Sequence, residues 1–288
     1  MNMSIAVVTG ASSGIGYAVT DELAARGYVV YACARRVDRI QPLVSKHGSV
    51  KIKPVELDIS QYDEIKKFKE FLKNELDDQQ IDLLYNNAGQ SCTLAALDVT
   101  DEIMQRCYAV NVFGHVNMTR ELSPMLIKAK GTIVFTGSVS GLVSIPFITT
   151  YSATKAAIHQ YARGLHLEMK PFGVRVINAI TGGVATEIYT STPFPEDVVH
   201  HFKEDIDKSQ SRNKSMTFMS SSAYAKQMVD VIVSSSDPVD VYRGSFAWII
   251  RFIPLLVPMW ILKYVLYRVS GLNKTEKRIK EEMAKKRS

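Results

Sequence analysis

Ser4-Ile5-Ala6-Val7-Val8-Thr9-Gly10-Ala11-Ser12-Ser13-Gly14-Ile15-Gly16 is the stretch on which the fold turns. Its apolar, β-branched start reads as a strand, and Tyr17–Arg26 beyond it has the apolar spacing of a helix. The glycines between are spaced G-x-x-x-G-x-G. They permit a tight turn and let backbone N–H groups approach an anion, whose charge the helix N-terminus stabilises. Gly10, Ser12, Ser13, Gly14, Ile15 and Gly16 are thus the expected cradle for a dinucleotide pyrophosphate.

Outward from this unit the same alternation repeats. Val29–Ala34, Lys51–Leu57, Leu83–Tyr85, Thr132–Thr136 and Val174–Ala179 are further strand candidates, with helical spacing in stretches such as Tyr62–Glu75. Strands alternating with helices imply parallel pairing through crossovers, so the expected fold is α/β, a doubly wound, Rossmann-like parallel sheet. No internal repeat is present. The pattern loosens from Glu187 to Ser222, where such folds place ligand-covering segments, and becomes helical again over Ala223–Ser234.

The length of 288 residues suits one such domain, and 46% apolar with 22% charged residues is a globular balance. The expected division is a main body over 1–244, followed by an apolar segment and basic tail over 245–288. Lys274–Ser288 carries seven Lys/Arg against three Glu, hence +4 of the net +6. The excess is terminal, and with no recognition motif beside it, nucleic-acid binding is not expected. Cys33, Cys92 and Cys107 lack metal-ligand spacing, so they read as reduced thiols of a cytosol-facing domain with no metal. With a strand beginning at Ser4, no signal peptide is expected ahead of it.

The chemistry-bearing motifs follow in a fixed order. Thr9–Gly16 spells T-G-x-x-x-G-x-G, Asn86-Asn87-Ala88-Gly89 follows a strand, Asn111 lies in Val-Asn-Val, Ser138 ends a strand, and Tyr151 and Lys155 spell Y-x-x-x-K. Over about residues 4–186 the chain resembles the short-chain dehydrogenase/reductase family. The resemblance implies carbonyl reduction, with Ser138 bonding the substrate oxygen and Asn111 holding a water that links Lys155 to solvent. It also implies cofactor contacts at Asp58, Asn87, Arg120, Tyr151, Lys155, Val184 and Thr186. One departure is Gly182-Gly183, where the family has Pro-Gly; it removes a rigid φ from that loop.

The residues support this independently. Tyr151 and Lys155 are four apart and share a helix face. A free phenol, with pKa near 10, exchanges protons poorly at neutral pH, but a neighbouring ammonium favours the phenolate and makes a usable acid–base catalyst. At the end of the second strand an acidic residue would bond a ribose 2′-hydroxyl, whereas Arg accommodates a 2′-phosphate. Ala34-Arg35-Arg36 stands there, which selects NADPH.

Gly10-Ala11-Ser12-Ser13-Gly14 also spells G-x-S-x-G, the nucleophile elbow of lipid hydrolases. No Asp-then-His partnership is evident for it, and the pyrophosphate claims the same loop. Three further blocks, Leu83–Cys92, Tyr161–Pro171 and Asp237–Gly244, resemble a lipid-reducing branch of the family. They imply an acylated dihydroxyacetone phosphate as substrate and the endoplasmic reticulum membrane and lipid droplet as location. A different lipid carbonyl, such as a 3-keto lipid, retinal or a steroid, would use identical catalytic residues. Lys203, Lys208, Arg212 and Lys214 stand in the loose stretch where a substrate phosphate would want cations.

Phe246–Tyr267 has an uncharged centre, Phe252–Leu262, with Trp248, Trp260, Tyr264 and Tyr267 along it. Arg251, Lys263, Pro254 and Pro258 argue against a spanning helix, which needs about 20 continuous apolar residues. A re-entrant or interfacial membrane anchor is expected. The alternative is a helix docked on the chain's own core or on another copy in a homo-oligomer. Lys285-Lys286-Arg287-Ser288 resembles a dilysine endoplasmic-reticulum retrieval signal.

Overall fold

In a computed structural model of the chain, which describes residues 3–189 and 202–285, all six apolar runs are strands: β1 (Ile5–Thr9), β2 (Val29–Ala34), β3 (Ile52–Glu56), β4 (Leu83–Asn86), β5 (Thr132–Thr136) and β6 (Arg175–Thr181). A seventh, β7 (Asp240–Arg243), pairs beside β6, and the order is β3-β2-β1-β4-β5-β6-β7. Every pairing is parallel. β1, β2, β4 and β5 are buried along almost their whole length, as expected for a sheet covered on both faces.

Two apolar layers hold the helices to the sheet. On one face, α1 (Gly14–Ala25), α2 (Gln41–His47) and α8 (Ser221–Val233) pack around Val8, Leu23, Val30, Tyr85 and Met228. On the other, α3 (Tyr62–Glu75), α5 (His115–Ala129) and α6 (Thr149–Met169) pack around Val7, Phe68, Leu122, Phe135 and Ile158. Fully burying one such aliphatic side chain contributes roughly 1.5–3 kcal/mol. α4 (Asp101–Tyr108) runs into α5 through a π-helical turn, Ala109–Gly114.

The Gly182-Gly183 departure has a physical reason. The N–H of Gly182 donates to Arg243 O at 2.8 Å, continuing the β6–β7 ladder, and proline has no N–H to give. A Cβ on Gly182 would also lie 2.1 Å from Ser245 O. Gly183 and Ser245 exchange two backbone bonds of 2.9 Å, and Ala247 is fully buried, so contacts with the body continue past residue 244.

The loose stretch contains α7 (Lys203–Ser215) after the undescribed residues 190–201. The side chains of Arg212 and Lys214 lie outside the described residues, as do residues 286–288. The apolar segment divides into α9 (Ala247–Leu256) and α10 (Met259–Val269), and α11 (Leu272–Lys285) follows. The break falls where Pro258 would need an N–H to continue α9; Val257 before it is extended (φ −110°, ψ 117°), as a residue preceding proline prefers. Among the described residues, no helix is long and apolar enough to cross a membrane.

Candidate active site

The strand ends after β1, β4 and β5 converge on one edge of the sheet. Gly10 (φ 69°) and Gly14 (φ 56°) turn the chain from β1 into α1 in left-handed conformations that glycine adopts without strain. A Cβ on Gly16 would stand 2.3 Å from Gly10 O, so helix and turn pack too closely for a side chain. Ser13 precedes α1 in an extended conformation and makes no side-chain capping bond, and the first turn contains no acidic residue. The helix therefore presents its first N–H groups, and no repelling carboxylate, to an anion; Ser12 and Ile15 lie within the same turn. These features fit a dinucleotide pyrophosphate.

Asn87 ties this loop to β4. Its Nδ2 donates to Thr9 O at 3.0 Å, and its N–H donates to Thr9 Oγ1 at 2.9 Å. Thr186 lies against Gly14, its Cγ2 3.0 Å from where a Cβ would be. Val184 is buried in the core and bridges to Met219. At the end of β2, Ala34 is followed by two exposed arginines. Arg35 reaches Asp58 only at 4.0 Å, while Asp58 accepts from Ser60 N–H and Oγ at 3.0 and 2.8 Å. Arg36 has no ionic partner among the described residues. Two guanidiniums free to turn, with no acid at the strand end, fit a 2′-phosphate. Arg120 is placed elsewhere: on the surface of α5, its guanidinium lies 5.0 Å from the Tyr62 ring centre and 3.4 Å from Glu121.

Helix α6 brings the catalytic candidates together. Lys155 is 2% exposed, and its Nζ donates to Thr136 O at 2.8 Å and lies 5.7 Å from the Tyr151 ring centre. Burial pulls its pKa down to about 8, so at neutral pH it still carries its proton beside the phenol. Ser138 follows β5, and its Oγ accepts from both the N–H (3.2 Å) and the hydroxyl (2.9 Å) of Ser140. With its lone pairs so engaged, Ser138 directs its own hydroxyl hydrogen elsewhere.

Asn111 is fully buried in the π-turn. Its Oδ1 accepts from Gln90 N–H at 2.8 Å, and its Nδ2 donates to Gln90 O (2.9 Å) and Thr154 Oγ1 (3.1 Å). Both amide hydrogens are spent, so any further partner of this side chain must donate to Oδ1. Thr154 in turn donates to Tyr151 O at 2.7 Å, which ties Asn111 to α6.

Thr154 and His159 were not among the residues singled out from sequence. His159 Nε2 accepts from Ser138 N–H at 3.0 Å, and the ring is wedged so tightly that a Cβ on Gly137 would stand 2.4 Å from Nε2. Burial lowers its pKa to about 4, which keeps the acceptor unprotonated. The signal was available in the spacing: Tyr151, Lys155 and His159 succeed one another at four-residue intervals on one helix face.

The hydrolase reading finds no histidine base among the described residues. Among the described histidines, His47 contacts Asp21, His115 contacts Ala88 O, His159 contacts Ser138 and His166 contacts Val176 O; none reaches Ser12. His200 and His201 lie outside the described residues.

Comparison with known proteins agrees with this geometry. The short chain dehydrogenase family matches residues 4–196. The NADPH-dependent 1-acyldihydroxyacetone phosphate reductase of Saccharomyces cerevisiae is 58% identical, over 98% of this chain and 96% of its own length. A short-chain dehydrogenase from Streptomyces avermitilis has the same fold (TM-score 0.79, 24% identity, 96% of this chain and 99% of its own). One from Burkholderia cenocepacia, solved in complex with NADP, aligns at TM-score 0.70 with 25% identity, over 93% of this chain and 98% of its own. The matched span takes in the sheet from β1 through β6 together with the Tyr151–Lys155 helix, and the chain belongs to the short-chain dehydrogenase family.

Proposed function

We propose that the protein reduces the ketone of a 1-acyldihydroxyacetone phosphate to 1-acyl-glycerol 3-phosphate with NADPH. The observation that carries this reading is the 58% identity, over nearly the whole of both chains, to the yeast reductase of that substrate. The site is chemically compatible. When bound, NADPH supplies the hydride. Tyr151 gives its phenolic proton to the carbonyl oxygen, and the Lys155 ammonium stabilises the phenolate left behind. The outward hydroxyl of Ser138 donates to the same oxygen, and His159 and Thr136 hold Ser138 and Lys155 in position. Gly10–Gly16 cradles the pyrophosphate and Arg35 and Arg36 the 2′-phosphate.

The test is NADPH oxidation with acyl-dihydroxyacetone phosphate beside a 3-keto lipid, retinal and a steroid ketone. The expected result is a kcat/KM for the acyl-dihydroxyacetone phosphate at least about tenfold above each of the others. A preference for another member of the panel overturns the substrate and leaves the reductase.

On the same proposal the protein works at the cytosolic surface of the endoplasmic reticulum membrane and of lipid droplets. Trp248 (65% exposed), Leu256 (77%), Trp260 (73%) and Tyr264 (60%) turn a row of large side chains outward along α9 and α10, with Arg251 stacked on Tyr242 and Phe252 beside them. Aromatic rings with flanking cations suit an interface rather than a span. Full-length protein is expected to float with phospholipid vesicles, and Trp248→Ser with Trp260→Ser to remain with the soluble fraction. Full-length protein that stays at the bottom of the gradient removes the anchor.

A further inference from the structure

A third apolar cluster stands apart from the two layers that hold the sheet. It consists of Ala95, Phe147 and Ile206, with Phe202 and Leu272 packed against them. These residues come from four parts of the chain. Ala95 follows the Asn87–Gly89 turn, and Phe147 lies in the loop between Ser138 and Tyr151. Phe202 immediately precedes α7, Ile206 lies in its first turn, and Leu272 opens α11. The C-terminal helix therefore joins, through α7, a cluster that includes Phe147 of the loop just ahead of the helix carrying Tyr151 and Lys155.

The contact is built from buried polar groups as well. Asp205 is 6% exposed and Thr275 2% exposed, and Thr275 Oγ1 donates to Asp205 Oδ2. The other carboxylate oxygen faces the start of α11: a Cβ on Gly271 would stand 3.0 Å from it. A carboxylate from α7 thus sits at the positive end of α11. Arg278, one turn further along, pairs with Glu204 at 2.8 Å and approaches Asp205 at 3.8 Å. Tyr267 Oη donates to Glu276, which fixes α10 to the same helix. The two helices also carry buried polar atoms without a partner among the described residues, Gln210 Nε2 and Asn273 Oδ1, which is unusual where helices only pack.

Phe147 registers this contact in its backbone. It is buried with φ 69°, a left-handed conformation that costs a residue with a side chain of order 1–3 kcal/mol and persists only where the surroundings over-determine it. The surroundings are Ile206 of α7 and Phe202 just ahead of it, whose ring lies 5.8 Å from the Phe147 ring.

We propose that α11, latched to α7 through Asp205 and Thr275, forms the outer wall of the substrate entrance and selects the hydrocarbon part of the substrate. The wall is apolar where it meets the catalytic loop, at Leu272, Ile206 and Phe147. It follows α10 in the chain, and Trp260 and Tyr264 of α10 face outward. Asp205 and Thr275 act as positioning residues: they touch each other across the two helices and hold the wall closed. The proposal rests on the lipid-ketone reading, but it requires only that the preferred ketone carry a long chain.

The test compares a long-chain and a short, water-soluble ketone in the same full-length protein, with Thr275→Val, Thr275→Ser and Asp205→Lys. Amide hydrogen exchange across α11 reports whether the helix has left α7. Thr275→Val and Asp205→Lys are expected to speed exchange in α11 while the strands stay protected. They should raise KM for the long-chain ketone about tenfold and leave kcat on both substrates within about threefold; Thr275→Ser, which keeps the hydroxyl, restores the parent KM. If the variant with the fastest α11 exchange keeps the parent's long-to-short ratio, or loses both substrates equally, the proposal is wrong. If none of the three speeds α11 exchange, Asp205 and Thr275 are not the latch and the proposal is equally wrong. Failure of acyl-dihydroxyacetone phosphate as a substrate would show separately in the unmodified protein, and the best long-chain ketone of the panel then takes its place in the comparison.

Discussion

Replacing Tyr151 with Phe is expected to slow ketone reduction by about 100-fold or more, the scale of general acid catalysis. The change removes one oxygen and leaves the ring, so α6 keeps its packing and Lys155 its bond to Thr136 O. NADPH affinity, read from quenching of its fluorescence or by calorimetry, should stay within about threefold, because no part of the Gly10–Gly16 turn is touched. The residual rate belongs to Ser138, whose hydroxyl still reaches the carbonyl oxygen but holds its proton too tightly to give it up. A Tyr151→Phe variant whose rate stays within a few-fold of the parent would show that the proton comes from elsewhere.

Exchanging both Arg35 and Arg36 for Ala is the second large effect. A hydrogen bond to a charged group contributes about 1.5–3 kcal/mol, and the double replacement removes two donors of this kind from a 2′-phosphate. A loss near 3 kcal/mol corresponds to a rise in KM for NADPH of about 100-fold, while KM for NADH moves much less, since NADH has no phosphate there. The nearby Asp58 carboxylate, relieved of Arg35, would add repulsion against NADPH. Steady-state kinetics with both nucleotides measures the ratio. An unmodified enzyme that prefers NADH refutes this reading of Ala34-Arg35-Arg36.

What could be read from the residues follows what burial demands of them. The central strands β1, β2, β4 and β5 were legible because a strand covered on both faces must be apolar nearly throughout, as Val29–Ala34 and Thr132–Thr136 are. β7 was not, because it is only four residues long, with Val241 buried and Asp240 and Arg243 charged. α7 was not, because a single apolar residue, Ile206, anchors a helix otherwise made of polar and charged side chains. The basic tail showed no helical face of its own; it is a helix whose inner face is marked by Leu272 and Thr275, a pair too slight to register without α7 opposite. In the site, Tyr151, Lys155 and Ser138 were legible as a joint pattern. His159 and Thr154 act through the geometry of neighbouring backbone, which no motif spells. Arg120 entered by family resemblance, and the structure seats it over Tyr62.

The π-helical turn at Ala109–Gly114 sets two clocks running in one helix. An α-helix advances about 100° per residue, and a π-turn contains one residue more than the α ladder would use. Within it, Asn111 must point at Gln90 and Thr154; after it, His115 and Thr119 must point at Ala88 O and Asn86. A uniform helix can satisfy one of these sets and not the other, since they are out of phase by that extra residue. Deleting any one residue between 109 and 114 would therefore improve the helix as a helix and ruin it as a part of this enzyme. In this segment the number of residues is fixed by what lies on either side of it, so here the unit of inheritance is length.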